Sequence, residues 1–392
     1  AIILAAWLLI KRLSAPAHGP LYPWFAPGDF EPEAFEATTR DGLTLRGRRY
    51  RNQGATPVIL MHGYSGNGHD YDLPFEDCNF ALYLARRGYD VWITNFRGAG
   101  RDPYKSDGGM FTHSIEDIAV YDVPALVEKV RGETGRNPVL VGHSMGGIVS
   151  YGYLQGVHYV EDGGVRRLRT DESVSDQRNR EVAAVVSIAG PVAFRWPMDS
   201  KFYWLIGNPV SRVMLIPLRA MLELLMQFIN RVPVEQAVNG LVRLAPRFGL
   251  LLLRVALAFF VNMEHMDEDT FRETVLTGSS DVSLMQTWQM VDSIIRQDFT
   301  EGSARRGGHL EDPYNFTRSM GMVRAPILFI TGDKDPVNLQ TTYRYGCEQV
   351  GSEIKDYRCF PEYGHVDLLL GLDAKETVFR YVADWLDRVV SS

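Results

Sequence analysis

Residues Pro138–Leu154 read PVLVGHSMGGIVSYGYL, and this stretch decides the fold. Pro138–Val141 is a short, continuous apolar run, the pattern of a strand buried on both faces. Ile148–Leu154 continues as a helical run, with Gly142-His143-Ser144-Met145-Gly146 between the two. A serine on a sharp strand-to-helix turn sits at strained backbone angles, and a side chain two positions away on either side would collide there. Glycines occupy both of those positions. Such a turn lifts the Ser144 hydroxyl out of the sheet and aims a helix N-terminus at negative charge developing beside it. Gly-x-Ser-x-Gly alone arises often by chance, but the strand and helix around it make it specific. The competing reading is a glycine-rich turn with a structural serine.

The same grammar extends in both directions. Phe35–Arg51 holds two extended runs around Asp41-Gly42, a hairpin signal. Continuous apolar runs recur at PVILMHG (Pro57–Gly63), DVWITNF (Asp90–Phe96), VAAVVSIAG (Val182–Gly190), APILFITG (Ala325–Gly332) and DYRCF (Asp356–Phe360). Helical stretches alternate with them at Phe80–Gly88, from Ser114 onward, and at Thr377–Val390. Ser114 with Asp117 three residues on forms a capping box, and Pro124 is expected to kink or restart that helix. Strands alternating with helices imply an α/β fold, a mostly parallel sheet covered on both faces.

Two stretches break the rhythm. Residues 161–181 carry eleven charges of mixed sign in 21 positions, which predicts a solvated, mobile excursion. Residues 191–323 are a longer interruption. Within it, 212–263 holds 34 apolar residues in 52, with six Arg against two Glu, a local +4. The expected organisation is an N-terminal lead-in over 1–34, a core over 35–190, a helical cap over 191–323, and the rest of the core over 324–392.

A nucleophilic serine needs a base and a group to hold the base. After Ser144 come His158, His265, His309 and His365. Only His365, in FPEYGHVD, lies in a loop just beyond a strand and before the final helix, where it reaches the carboxyl edge of the sheet. The acid is expected after the preceding strand, where ILFITGDKDPV offers Asp333 and Asp335. Asp335 is favoured, three residues past Gly332, with Asp333 as a turn-capping carboxylate. Asp367 is read as a helix cap or loop brace. Two backbone amides must receive an oxyanion, and the expected donors are Met145 and, after His62-Gly63, Tyr64. His143 is read as packing, its side chain pointing away from Ser144.

With these residues in view, the chain resembles an α/β-hydrolase and, within that superfamily, the acid lipase group of gastric and lysosomal lipases. The resemblance rests on GYDVWITNFRGAGRD (Gly88–Asp102), YDVPALVEKVRGETG (Tyr121–Gly135) leading into LVGHSMGG, and GHVDLLLG (Gly364–Gly371). It covers roughly 35–190 and 323–390. It implies Ser144 as nucleophile, Asp335 as acid, His365 as base, Tyr64 and Met145 as oxyanion donors, a carboxylic-ester substrate that is often a lipid, and a cap or lid over the site. The chain departs from those lipases at Met145, where they usually carry glutamine.

Composition sets the outer bounds. The chain has 392 residues, 45% apolar and 23% charged, enough to build a large core, so a disordered or fibrous protein is excluded. A net charge of −7 argues against a nucleic-acid partner. Three scattered cysteines make neither a disulfide framework nor a zinc site, although Cys347 and Cys359 are candidates to pair. No clustered ligands call for a metal or organic cofactor. Residues 1–10, AIILAAWLLI, run into Lys11 and Arg12 and are too few to span a bilayer, which takes about 20. They read as the tail of a truncated membrane anchor, a signal-peptide core, or a helix packed on the protein. Together with the apolar, Arg-bearing cap they favour a membrane-associated enzyme acting on hydrophobic or lipid esters. An acyltransferase with a non-water acceptor, or a non-catalytic binding module, are the alternatives.

Overall fold

The computed structural model describes residues 27–162, 165–195, 209–258, 260–302, 313–337 and 340–390. The apolar segment 1–10 and its Lys11-Arg12 flank lie outside them. Eight strands form the central sheet: β1 (Pro32–Thr38), β2 (Thr44–Tyr50), β3 (Pro57–Met61), β4 (Asp90–Thr94), β5 (Val139–His143), β8 (Ala184–Ile188), β11 (Ile327–Gly332) and β12 (Lys355–Phe360). Their order is β1-β2-β4-β3-β5-β8-β11-β12. β1 and β2 form the hairpin expected around Asp41-Gly42, and β2 runs antiparallel to β4. From β4 to β12 every pairing is parallel. β3, β4, β5 and β8 are buried at every position, as their continuous apolar runs require.

Two separate hydrophobic clusters cover the two faces of the sheet. Helices α2 (Val123–Thr134) and α3 (Met145–Leu154) pack on one face, and α1 (Phe80–Arg86) and the C-terminal helix Arg380–Val390 on the other. The Ser114–Asp117 capping box is present, and a wide turn over Ile118–Asp122 hands over to α2, which restarts with Pro124 in its first turn. Proline fits there because first-turn amides have no intrahelical acceptor.

The charge-rich stretch 161–181 differs from expectation. It contributes to a hairpin, β6 (Val157–Asp162) paired with β7 (Val165–Thr170), and to helix α4 (Glu172–Arg180). Glu161, Arg169, Asp171, Glu172 and Arg180 are exposed, as expected, but two of its arginines are taken up by the fold. Arg166 lies over the rings of Tyr121 and Tyr159, while buried Arg178 donates to the carbonyls of Tyr153 and Val157. Long arginine stems pack on aromatic surface while their heads find acceptors, so a high charge count does not by itself mean solvent.

Between β8 and β11 the described chain forms α5 (Pro209–Leu225), α6 (Val234–Leu244), α7 (Pro246–Leu257), α8 (Glu268–Thr277) and α9 (Leu284–Arg296). The two-residue strands β9 (Arg231–Val232) and β10 (Val282–Ser283) pair within this insertion. Among the described residues no helix is long and apolar enough to cross a membrane. Cys78, Cys347 and Cys359 are all free thiols, which corrects the candidate pairing of Cys347 with Cys359. Cys347 is buried at the turn Tyr343–Cys347, and Cys359 sits half-buried on the edge strand β12.

Candidate active site

Ser144 joins β5 to α3 with φ 53° and ψ −114°, a conformation that L-residues rarely adopt. The neighbouring glycines are there for space. A Cβ on Gly142 would lie 2.3 Å from Gly146 backbone, and one on Gly146 would lie 2.2 Å from the Met61 carbonyl oxygen. The elbow therefore presses directly against the end of β3. Its strain is held by a hydrogen bond from Ser144 N–H to the Ile188 carbonyl on β8, 2.8 Å long.

The three side chains singled out from sequence meet at the carboxyl edge of the sheet. His365 Nε2 lies 2.8 Å from Ser144 Oγ, and His365 Nδ1 lies 2.8 Å from Asp335 Oδ2. A carboxylate only accepts, so Nδ1 carries the proton and Nε2 is left to accept from the serine hydroxyl. Asp335 is fully buried, and its other oxygen accepts from Val337 N–H at 2.8 Å. Asp333, exposed, instead accepts from Glu362 N–H at 2.6 Å and ties the two loops together. Asp367 braces the histidine loop, accepting from Gly364 N–H at 2.8 Å and Asn262 N–H at 3.1 Å.

The amides expected to face an oxyanion flank the serine. Met145 N–H stands at the first helical position, where no intrahelical acceptor exists. The Gly63–Tyr64 turn passes so close that a Cβ on Gly63 would lie 3.2 Å from Ser144 Cβ. His62 holds that turn. Phe96 N–H donates to His62 Nε2 at 3.1 Å, so Nδ1 bears the proton and donates to the Gly63 carbonyl at 2.9 Å. Burial lowers the His62 pKa to about 4, keeping the ring neutral as this pattern needs.

Sequence reasoning missed how much of this assembly the insertion supplies. Phe260 offers its carbonyl to His365 N–H at 2.8 Å, and Asn262 donates to the Glu362 carbonyl at 2.7 Å. The Tyr64 hydroxyl bonds Thr287 on α9 at 2.6 Å. It also missed His143, whose ring is more than packing: its Nε2 lies 3.0 Å from the His365 carbonyl. No local pattern announces such contacts, since each joins residues far apart in the chain.

Ser144 and His365 open into a cavity of about 520 Å³. Its walls come from both faces of the sheet edge and from the insertion, including Phe194, Phe260, Phe271, Met290, Leu369 and Val337. Among the described residues no cluster of three His, Cys, Asp or Glu side chains is arranged to hold a metal ion.

A serine hydrogen-bonded to a histidine, at a strand-to-helix elbow after β5, is accompanied by a decisive match. The model of the Alpha/beta hydrolase family aligns with residues 58–380. The chain belongs to that family. Among curated relatives it is similar to triacylglycerol lipase 2 of Arabidopsis thaliana, 23% identical over 383 residues, covering 91% of this chain and 84% of that one. Lipase 1 of Drosophila melanogaster is 34% identical over 125 residues, 30% of this chain and 28% of the relative. Human gastric triacylglycerol lipase is 32% identical over 133 residues, 30% of this chain and 33% of the relative. The chain thus spans about a third or less of the latter two relatives at this similarity, and most of the plant one. These matches bear out the resemblance to the gastric lipase group. Among solved structures, the α/β hydrolase GrgF from Penicillium sp. sh18 superposes with a TM-score of 0.56 at 16% identity, covering 92% of this chain and all of that one. A soluble variant of monoglyceride lipase from Saccharomyces cerevisiae gives 0.54 at 15% identity, covering 95% and 99%. At such identities these likenesses show the α/β-hydrolase fold.

Proposed function

We propose that the chain is a serine carboxylic-ester hydrolase of the lipase/esterase kind, acting on hydrophobic or lipid esters. The observation that carries this is the hydrogen-bonded line Ser144–His365–Asp335 opening into an apolar cavity. The relatives named as lipases support it.

On this reading His365 Nε2 takes the Ser144 proton as Oγ attacks the ester carbonyl carbon. The carbonyl oxygen becomes an oxyanion and receives the backbone N–H groups of Met145 and Tyr64. Buried Asp335 holds the imidazole tautomer and stabilises the imidazolium. The tetrahedral species collapses, His365 returns its proton to the departing alkoxide, and the alcohol leaves an acyl-Ser144. Water then attacks with His365 again as base, and the acid departs with Ser144 restored.

The insertion is read as a lid whose outer face rests on a lipid surface, placing the enzyme at a membrane. Supporting this, α5 and α7 leave Val213, Met214, Leu224, Leu251 and Val255 exposed, far more than the scattered apolar residues of an ordinary surface. Arg212 on α5, Arg243 on α6 and Arg254 on α7 stand half-buried on these helices and bring positive charge suited to anionic headgroups.

Intact mass after treatment with a fluorophosphonate tests the chemistry. A single adduct is expected on wild type and none on Ser144→Ala. No adduct on wild type, with or without detergent, overturns the hydrolase reading, while labelling accelerated by detergent supports the lid. Co-sedimentation with phosphatidylglycerol vesicles, but much less with phosphatidylcholine vesicles, is expected if the arginine-bearing face meets lipid.

A further inference from the structure

The cavity has two unlike arms. Toward α9 its lining is Phe194, Met290, Val291, Ile294 and Val337, all apolar, with Thr287 as the polar exception on that helix. Toward α8 it meets Phe271 and Val275 and also four polar side chains, Ser65, Asp70, Thr274 and Ser279, and Asp70 is the one carboxylate among the lining residues. The seat of Asp70 is built for it. A Cβ on Gly66 would lie 2.4 Å from Asp70 Oδ2, and one on Gly278 would lie 2.4 Å from Oδ1. Gly278 has an ordinary φ of −79°, so what the glycine provides there is room for the carboxyl.

The neighbours of Asp70 are acceptors as well. Thr274 donates its hydroxyl proton to the Thr270 carbonyl at 2.8 Å, and Ser279 donates its own to the Val275 carbonyl at 2.8 Å. Their protons are committed to α8, so these oxygens present lone pairs. An arm rich in acceptors is complementary to a ligand rich in donors. Burial also pushes the Asp70 carboxyl up to about 7, which weakens it as a permanent counter-ion for a cation and suits it to exchange hydrogen bonds with a neutral hydroxyl.

We propose that Asp70 is a specificity-determining residue that selects esters whose alcohol half carries a free hydroxyl, such as a partial ester of a polyol. This inference rests on reading the cavity as the ester-binding site. The acyl chain takes the apolar arm beside α9. The alcohol half takes the arm beside α8, where its free O–H donates to the Asp70 carboxyl. In wild type that contact lowers the barrier for a hydroxyl-bearing ester relative to an alkyl ester of the same acid.

The test compares kcat/KM for 1-monoolein and for methyl oleate, in wild type, Asp70→Ala and the near-isosteric Asp70→Asn. The ratio of the two values cancels any loss of folded enzyme. Loss of this buried hydrogen bond to substrate predicts that the ratio falls about 10-fold in Asp70→Ala. Asp70→Asn, which keeps one acceptor oxygen, is expected to fall in between. A ratio unchanged in both variants overturns the proposal while leaving the hydrolase reading intact. Failure of wild type to cleave either ester overturns both.

Discussion

His143, the residue immediately before the serine, reaches across the site so that its Nε2 lies 3.0 Å from the main-chain carbonyl of His365. A carbonyl only accepts, so Nε2 carries the proton. Burial and the nearby His365 lower the His143 pKa to about 3, which keeps the ring neutral. The elbow therefore anchors the backbone of the residue that faces its own serine.

Replacing His143 by Leu removes this donor and strands a buried carbonyl, at a cost of about 1–3 kcal/mol. The expected result on a p-nitrophenyl ester is a fall in kcat of about 10-fold with little change in KM, because positioning rather than substrate contact is lost. His143→Gln, which retains an N–H donor, should recover part of the rate. Unchanged kcat in His143→Leu would show that the Asp367 and Phe260 contacts hold His365 without help.

The elbow stores strain that the fold tolerates for the sake of Ser144. Ser144→Gly should abolish activity and raise stability by about 1 kcal/mol, since glycine adopts φ 53° without penalty. Gly146→Ala acts in the opposite direction. Its Cβ would meet the Met61 carbonyl at 2.2 Å, so a loss of about 3 kcal/mol or more is expected. Thermal melts of the two variants check both signs.

Acid should destabilise the protein through its neutral buried histidines. His62 and His143 have folded-state pKa values of about 4 and about 3, below the ordinary histidine value near 6.5. Between those limits the unfolded chain binds more protons than the folded one, so stability falls as pH drops below about 6.5. Each such histidine contributes a loss of about 2 kcal/mol by pH 5. Asp70 opposes this with the reverse sign: its raised pKa favours the folded state at low pH and costs stability as pH rises toward about 7. The isolating measurement is the difference in Tm between pH 7 and pH 5 for wild type and His62→Gln. The variant should lose less. An equal loss would mean that His62 titrates in the folded protein much as it does unfolded.

How much was legible in the chain follows from where each constraint originates. The parallel sheet was readable because strands buried on both faces must be continuously apolar, as β3, β4, β5 and β8 are. Ser144 was readable because a strained elbow needs small residues at fixed offsets. His365 and Asp335 were readable because loops at one sheet edge follow strands in a countable order. The hairpin β6–β7 and helix α4 were not, because the arginines that hide there are satisfied by Tyr121, Tyr159 and backbone carbonyls that no local window contains.

The sequence by itself therefore determined the α/β architecture, the elbow and the three residues whose side chains meet at its edge, since each depends on local spacing and burial. The tertiary structure alone decided that the insertion would hold the site together, through Phe260 on His365, Thr287 on Tyr64 and Asn262 on the histidine loop. It alone also set Asp70 between Gly66 and Gly278 in one arm of the cavity. Hydrogen bonds act over about 3 Å, and only folding brings residues more than a hundred positions apart within that distance.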